Sequence, residues 1–229
     1  MCGRYYNRQQ KQQIAEALHA ATVFEEPYAP NYNIAPTTFQ PSLRNNRETG
    51  ERELVLMRWG LVPFFAKSVV DFKGFSTFNA KAEILASAPT WRRPFQRRRC
   101  IVPADGFYEW KALDDSKKPK KQPFAITLTD GGLMAFAGLW DAWKEPDGRW
   151  LESFAIITTE ANELISTVHT RMPAILHARD WSEWLDRDNE RLAPAHLLRP
   201  FDSDQMRLDC CNPAVGNVRN NGPEMLNSE

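Results

Sequence analysis

The sequence offers almost nothing from which to build a covalent or metal framework. It holds four cysteines in 229 residues, Cys2, Cys100, Cys210 and Cys211. They have no CxxC spacing and no neighbouring His/Cys cluster, so no structural metal site is expected, and no cofactor is called for. Cys210 and Cys211 are adjacent, which disfavours a bond between them, and Cys100 lies in the apolar run Cys100-Ile101-Val102, as a core residue would. Four free thiols suit a reducing compartment. No stretch approaches the roughly 18 to 20 apolar residues that cross a bilayer. A cationic segment followed by an apolar one is also missing from the start, so no secretion signal is expected. The chain reads as soluble and cytoplasmic, with no membrane partner. Internal repeats and low-complexity tracts are absent as well. Nothing marks an exposed apolar interface, which makes a monomer the default.

Net charge is zero, with 29 Lys/Arg against 29 Asp/Glu, but the charges are segregated. Residues 1–121 hold 20 basic against 12 acidic side chains, and the remainder holds 9 against 17. The densest basic stretch is Trp91-Arg92-Arg93-Pro94-Phe95-Gln96-Arg97-Arg98-Arg99. Cations interleaved with aromatics suit a polyanion whose bases stack; a solvated helix face paired with local acids is the plainer alternative.

Alternating apolar runs predict strands at Glu53–Trp59, Arg99–Val102, Phe107–Lys111, Pro123–Thr129, Leu133–Trp140, Phe154–Thr158 and Pro173–Leu176. Helical spacing predicts a helix within Arg8–Ala21 capped by Asn7, and others at Ala80–Ser87, Glu160–Val168 and Trp181–Asp186, the last opened by Asp180 with Glu183 in capping-box spacing. The polar run Asp114–Lys121 reads as a hairpin loop and not as a linker. Many strands with irregularly placed helices predict one α+β domain over residues 1–229, built on a mostly antiparallel, barrel-like sheet.

Four segments could carry chemistry. In Met1-Cys2-Gly3-Arg4, cysteine is small enough for an initiator methionine to be removed ahead of it. That leaves an α-amine and a thiol on one residue. The amine titrates near about 7.7 to 8.0, so it can attack an aldehyde to give an imine, and the thiolate can close a five-membered thiazolidine on the same carbon. In Phe78-Asn79-Ala80-Lys81-Ala82-Glu83 a strand gives way to a helix start, where unpaired N–H groups suit phosphate; Asn79 serves equally well as a plain cap. In Pro103-Ala104-Asp105-Gly106-Phe107-Tyr108-Glu109-Trp110, Glu109 stands between large aromatics. A carboxylate there has a raised pKa if it is buried, whereas strict alternation would turn it to water. In Val168-His169-Thr170-Arg171-Met172-Pro173, His169 follows a predicted helix whose C-terminal dipole favours its protonated form.

Taken together, these segments resemble the SOS response-associated peptidase, or abasic site processing, family. The resemblance rests on Met1-Cys2-Gly3-Arg4, Tyr32-Asn33-Ile34-Ala35-Pro36, Trp59-Gly60-Leu61-Val62-Pro63, Asn79-Ala80-Lys81-Ala82-Glu83, the segment 103–110, His169-Thr170-Arg171-Met172-Pro173 and Ala214-Val215-Gly216-Asn217-Val218. Lys81 stands where the family usually has Arg, which loses a two-pronged grip on phosphate. Thr170 stands where Asp is frequent, and Phe65 where Trp is usual.

The resemblance implies an enzyme that cross-links itself to abasic sites in single-stranded DNA. Cys2 would form the adduct, His169 would transfer protons while the sugar ring opens, Glu109 would serve the Cys2 amine, and Asn79 would grip the opened sugar. Arg4, Lys81 and Arg171 would hold phosphates, with Phe65 and Trp59 against the bases. Abasic DNA is the implied partner, with the replication machinery beside it and a nucleoid location when bound. Two readings stay open beside this one. One is a self-processing peptidase using Cys2 as nucleophile, with weak abasic-site lyase activity as a related side reaction. The other is a non-covalent reader of damaged or modified DNA.

Overall fold

The computed structural model describes residues 2–69, 77–187 and 193–228. Met1, whose removal the sequence suggests, lies outside them. In chain order the elements are β1 (Tyr5–Asn7), α1 (Lys11–Ala17), β2 (Ala21–Thr22), β3 (Asn31–Ile34), β4 (Phe39–Asn45), β5 (Arg52–Trp59) and β6 (Asn79–Lys81). Then come α2 (Pro89–Arg97), β7 (Arg99–Ala104), β8 (Gly106–Ala112), β9 (Lys121–Leu128), β10 (Met134–Lys144), β11 (Trp150–Glu160), α3 (Glu163–Ser166), β12 (Arg171–Pro173), α4 (Trp181–Leu185) and β13 (Met206–Cys210).

Strands β11, β10, β7, β4 and β5 pair in that order, and all four of those pairings are antiparallel. A short parallel pairing of β5 with β11, Arg58 to Ser153 and Trp59 to Phe154, closes the ring into a five-strand barrel. β6, β12 and β2 add to its edges. A second sheet runs β13-β9-β8-β1-β3. The fold is α+β and mostly antiparallel, as the strand pattern predicts.

Period-two alternation sorts the side chains into layers. Val55, Met57 and Trp59 of β5, Cys100 and Val102 of β7, Phe136 of β10, and Phe154 and Ile156 of β11 face one cluster. Tyr5, Phe107 and Ile126 of the second sheet join it, together with Cys2. Their neighbours Leu54, Ile101, Ala137 and Ala155 face outward, under Ile14 and Leu18 of α1, Trp91 and Phe95 of α2, and Trp181, Trp184 and Leu185 of α4. The far face of the second sheet packs Tyr6 and Tyr108 against Cys211, Val215 and Met225 of the C-terminal segment.

Several local expectations yield to this packing. Asn7 lies in β1, and Gln10 opens α1, its N–H donating to the Gln13 side chain at 2.9 Å. The helix expected over Ala80–Ser87 is strand β6 followed by a short 3-10 turn, Ala82–Ile84, because residues 79–81 pair with Ile156–Thr158 of β11. The expected strand Pro173–Leu176 shifts to Arg171–Pro173, with an isolated bridge at Ile175. α4 forms without a side-chain cap from Asp180. The basic stretch 91–99 becomes α2 and the start of β7, a helix as its plainer alternative had it; Pro89 suits the first helical position, and burying Trp91 and Phe95 outweighs the interior Pro94.

Trp184 joins these layers. It is fully buried, packs on Phe95, and its indole N–H donates to the Cys100 carbonyl at 2.8 Å. Trp184→Ala should cost about 3 to 5 kcal/mol. Trp184→Phe, which keeps most of the volume but orphans that carbonyl, should cost about 1 to 3 kcal/mol. Urea unfolding of both variants checks the order; equal losses would mean the hydrogen bond contributes nothing.

Candidate active site

The first residues of a chain usually fray, yet here they are fixed from both sides. β1 pairs with β3 through Tyr5 and Ile34 and with β8 through Tyr5 and Phe107. The Tyr108 N–H donates to the Arg4 carbonyl at 3.0 Å and the Asp105 N–H to the Tyr6 carbonyl at 2.9 Å. Asp105 also accepts from the Arg8 backbone N–H and from Gln9 at 3.3 Å, and Asn7 donates to the Pro103 carbonyl at 3.2 Å. The segment 103–110 is thus the cradle of the N-terminal strand.

Cys2 is held fully buried three residues ahead of that strand. Asn79 donates its side-chain N–H to the Cys2 carbonyl at 2.8 Å, and its own carbonyl oxygen is buried with no hydrogen-bond partner among the described residues. Burial pushes the Cys2 thiol well above the usual range, and the negative charge of Glu109 pushes it further. Glu109 is itself buried, which raises its pKa, against the opposing positive charge of the chain's N-terminal amine and of His169. Burial here replaces the outward orientation that strict alternation offers. Cys2, Asn79, Glu109 and His169 therefore come from four separate segments to one place.

His169 is half-buried. The helix before it is a single turn, Glu163–Ser166, too short for an appreciable dipole. The ring is instead oriented by the backbone of Arg171, whose N–H lies 2.9 Å and whose carbonyl lies 3.1 Å from Nδ1.

Asn79 owes its place to Trp59 and Phe78. The Phe78 carbonyl accepts from the Trp59 indole at 2.8 Å and from the Ile156 N–H at 3.0 Å, which pins the residue before Asn79. Trp59 has no solvent exposure and stacks on Phe154. It is a packing residue under the site, and its assignment as a DNA contact is corrected: no base can reach it.

The basic candidates divide. Lys81 is exposed. Asn79 is a strand residue and not a cap, and the turn after it is too short to present a helix N-terminus, so that source of phosphate affinity is absent. Arg171 is bound by Glu83 at 3.0 Å and by the Thr158 carbonyl at 2.6 Å. Arg4 donates to Asn33 at 2.8 Å and to the Val215 carbonyl at 3.3 Å. Phe65 is exposed beside Phe64, their ring centroids 5.3 Å apart. Among the described residues no group of three His, Cys, Asp or Glu could hold a metal ion.

Two contributors carry no local signal in the sequence, although both lie in the family-like segments. Glu83 is the partner that fixes Arg171. Asn33 donates to the carbonyls of Val215, Asn217 and Asn220 at 3.1, 2.9 and 2.9 Å, locking the C-terminal segment against Arg4. Each acts through partners distant in the chain, Glu83 through Arg171 and Asn33 through Arg4 and residues 215–220, which is why neither could be assigned a role from its neighbours.

Comparison with known proteins agrees over the whole chain. The sequence model of the SOS response associated peptidase (SRAP) family matches residues 1–218. "Abasic site processing protein YoqW" of Bacillus subtilis is 39% identical, with both chains covered completely. "Abasic site processing protein HMCES" of Mus musculus is 32% identical, over 87% of this chain and 65% of that protein. A crystal structure of a protein from Bacteroides thetaiotaomicron superposes with a TM-score of 0.83 at 25% identity, covering 98% of each chain.

Burial of Glu109 has a consequence for stability. Because its folded pKa is raised, its favourable contribution is complete below the unfolded value of about 4.3 and is lost as pH rises through the folded pKa. Glu109→Gln removes the ionisation. The variant should match the wild type near pH 4 and exceed it near pH 8, by about 1.4 kcal/mol for each unit by which the folded pKa is raised. Urea midpoints at the two pH values check this; a variant less stable at pH 8 would mean that the charged carboxylate is held by favourable contacts.

Proposed function

The chain belongs to the SOS response associated peptidase family, and we propose that it shields abasic sites in single-stranded DNA by forming a covalent thiazolidine at Cys2 once Met1 is removed. Four features support this reading: Cys2 sits in a buried cradle, Asn79 bonds its carbonyl, Glu109 faces it electrostatically, and His169 acts on Glu109. The relatives named as abasic site processing proteins give the lesion its identity. The observation that carries the reading is the convergence of Asn79 and Glu109 on Cys2, with His169 acting on Glu109, from distant segments.

An abasic site is mostly a closed hemiacetal. His169 moves a proton between the ring oxygen and the anomeric hydroxyl, which releases the aldehyde. Glu109 takes a proton from the Cys2 ammonium, and the free amine adds to the aldehyde carbon. The carbinolamine hydroxyl leaves as water with a proton returned by Glu109, giving the imine. The Cys2 sulfur then adds to the imine carbon, and its proton passes to the nitrogen. One C–N and one C–S bond form, and one water is lost. Asn79, with its buried unpartnered oxygen, holds a hydroxyl of the opened sugar. A duplex would keep the lesion stacked, so single strands are the substrate. When the ring cannot close, the imine permits β-elimination, a weak lyase activity.

A thiol held neutral by burial favours this order of steps. The amine reacts first, and the sulfur closes the ring only once the imine has formed. The same N-terminal cysteine also fits a self-processing peptidase. That activity predicts loss of Met1 from protein made with methionine aminopeptidase blocked, whereas cross-linking needs only that Met1 be gone.

Intact mass spectrometry should show loss of Met1 and, after mixing with an oligonucleotide carrying one abasic site, a stable gain equal to the oligonucleotide minus one water. Cys2→Ala should abolish that adduct while keeping most of the affinity for DNA; an undiminished adduct on a denaturing gel sinks the proposal. His169→Ala should slow adduct formation on bound DNA by roughly 10²- to 10⁴-fold, the usual span for general acid–base catalysis, with little change in affinity. Unchanged rates would remove His169 from the chemistry.

A further inference from the structure

The closed barrel has a second end. Arg44 of β4, Glu53 of β5, Trp140 of β10 and Glu152 of β11 share the inward parity of Val55, Phe136, Phe154 and Ile156, and Arg98 precedes β7 with the parity of Cys100 and Val102. These five side chains therefore line the barrel's other mouth. On β11, Glu152 lies four residues before Ile156, the residue paired with Asn79, which is about 13 Å along the strand. The mouth is a cleft of about 420 Å³ walled by six arginines against three glutamates.

Its floor is built. Arg44 is bound by Glu53 at 2.7 Å and Glu152 at 2.6 Å, and Asp141 binds Arg98. Both guanidiniums lie over the Trp140 ring, at 4.5 and 5.2 Å from its centre. Both floor arginines are thus taken up by three carboxylates, and the positive charge left over belongs to the rim. There Arg47 and Arg93 are exposed and form no ion pair among the described residues. Two exposed cations above a fixed polar floor suit an anion whose oxygens fit guanidinium forks, and the aromatic edge beside them favours a nucleic-acid phosphate over an acidic protein loop.

The rim runs directly into the exposed aromatics. Arg93 lies over the Phe64 ring at 4.7 Å, Phe64 packs edge-on against Phe65, and the Phe64 N–H donates to the same Asp141 that binds Arg98. Aromatic faces stack unpaired bases while neighbouring cations track the backbone. We infer that the arginine-lined barrel mouth is a second DNA site, which takes the phosphodiester backbone of the single-stranded arm after it leaves the Phe64–Phe65 edge. This inference rests on the DNA reading proposed above. It adds an anchor remote from Cys2, engaged by the strand beyond the lesion and carrying no sequence information.

The test compares undamaged single strands of about 6 and about 16 nucleotides, within the span such grooves accommodate, by fluorescence anisotropy over a range of salt. The protein is the full chain, as wild type and as the double variant Arg47→Ala/Arg93→Ala; both positions are exposed. For the longer strand the variant should bind on the order of tenfold more weakly. Its slope of log affinity against log salt should fall by about 1.4, or about 0.7 for each phosphate that is no longer neutralised. The ratio of long-strand to short-strand affinity should fall with it. Unchanged affinity and slope on the longer strand overturn the inference. So does an equal loss on both lengths, which puts the two arginines at the aromatic edge or the lesion site. Cross-linking of a lesion-bearing 6-mer by the wild type is read in parallel. Its absence would refute the covalent reading alone and leave the comparison of lengths intact.

Discussion

The position of the first strand governs this molecule. β1 is three residues long, too short to be stable by itself, and it exists because β3 and β8 take up both of its edges. Everything proposed for Cys2 depends on that clamp. A cysteine three residues ahead of a frayed strand would sample solvent and oxidise; three residues ahead of a paired one, it is delivered to Asn79 and Glu109. Asn33 extends the clamp by tying residues 215–220 to the same edge, so the two ends of the sequence support one site.

The barrel then separates two kinds of chemistry. Toward Cys2 its inward positions are apolar or aromatic, and desolvation there raises the pKa of both the thiol and the carboxyl. Toward the other mouth the same parity carries Arg44, Glu53, Glu152 and Trp140, with the arginine held by both glutamates at the floor. A buried pair of this kind gives little net stability, but it fixes guanidiniums in place with little freedom left to lose. Arg99 serves the helical layer in a similar way. Its guanidinium donates to the carbonyls of Trp184 and Phe95 at 2.6 and 2.8 Å, binding α4 and the end of α2 to β7.

The long strands were legible because their apolar side chains recur over six residues or more. The short ones were not. β1, β3 and β6 contain asparagines that read locally as caps or turns, and β4 carries Pro41, a residue type expected at strand ends. α2 was legible only as an alternative, a solvated helix face, because nothing local shows that Trp91 and Phe95 turn to the core. Trp59 shows how a motif misleads: its place in a family-like segment suggested contact with DNA, while its indole is spent on the Phe78 carbonyl.

By itself, the sequence determined the family and the α+β class, because a set of ordered motifs and period-two alternation are local properties of the chain. Tertiary structure alone decided that Glu109 is buried beside Cys2, that His169 is oriented by the Arg171 backbone and not by a helix dipole, that Glu83 holds Arg171, and that five strands present an arginine-rich mouth on the side away from Cys2. Those outcomes depend on which strands close the ring and in what register. Register is set by pairings between residues dozens of positions apart, and no local pattern records it.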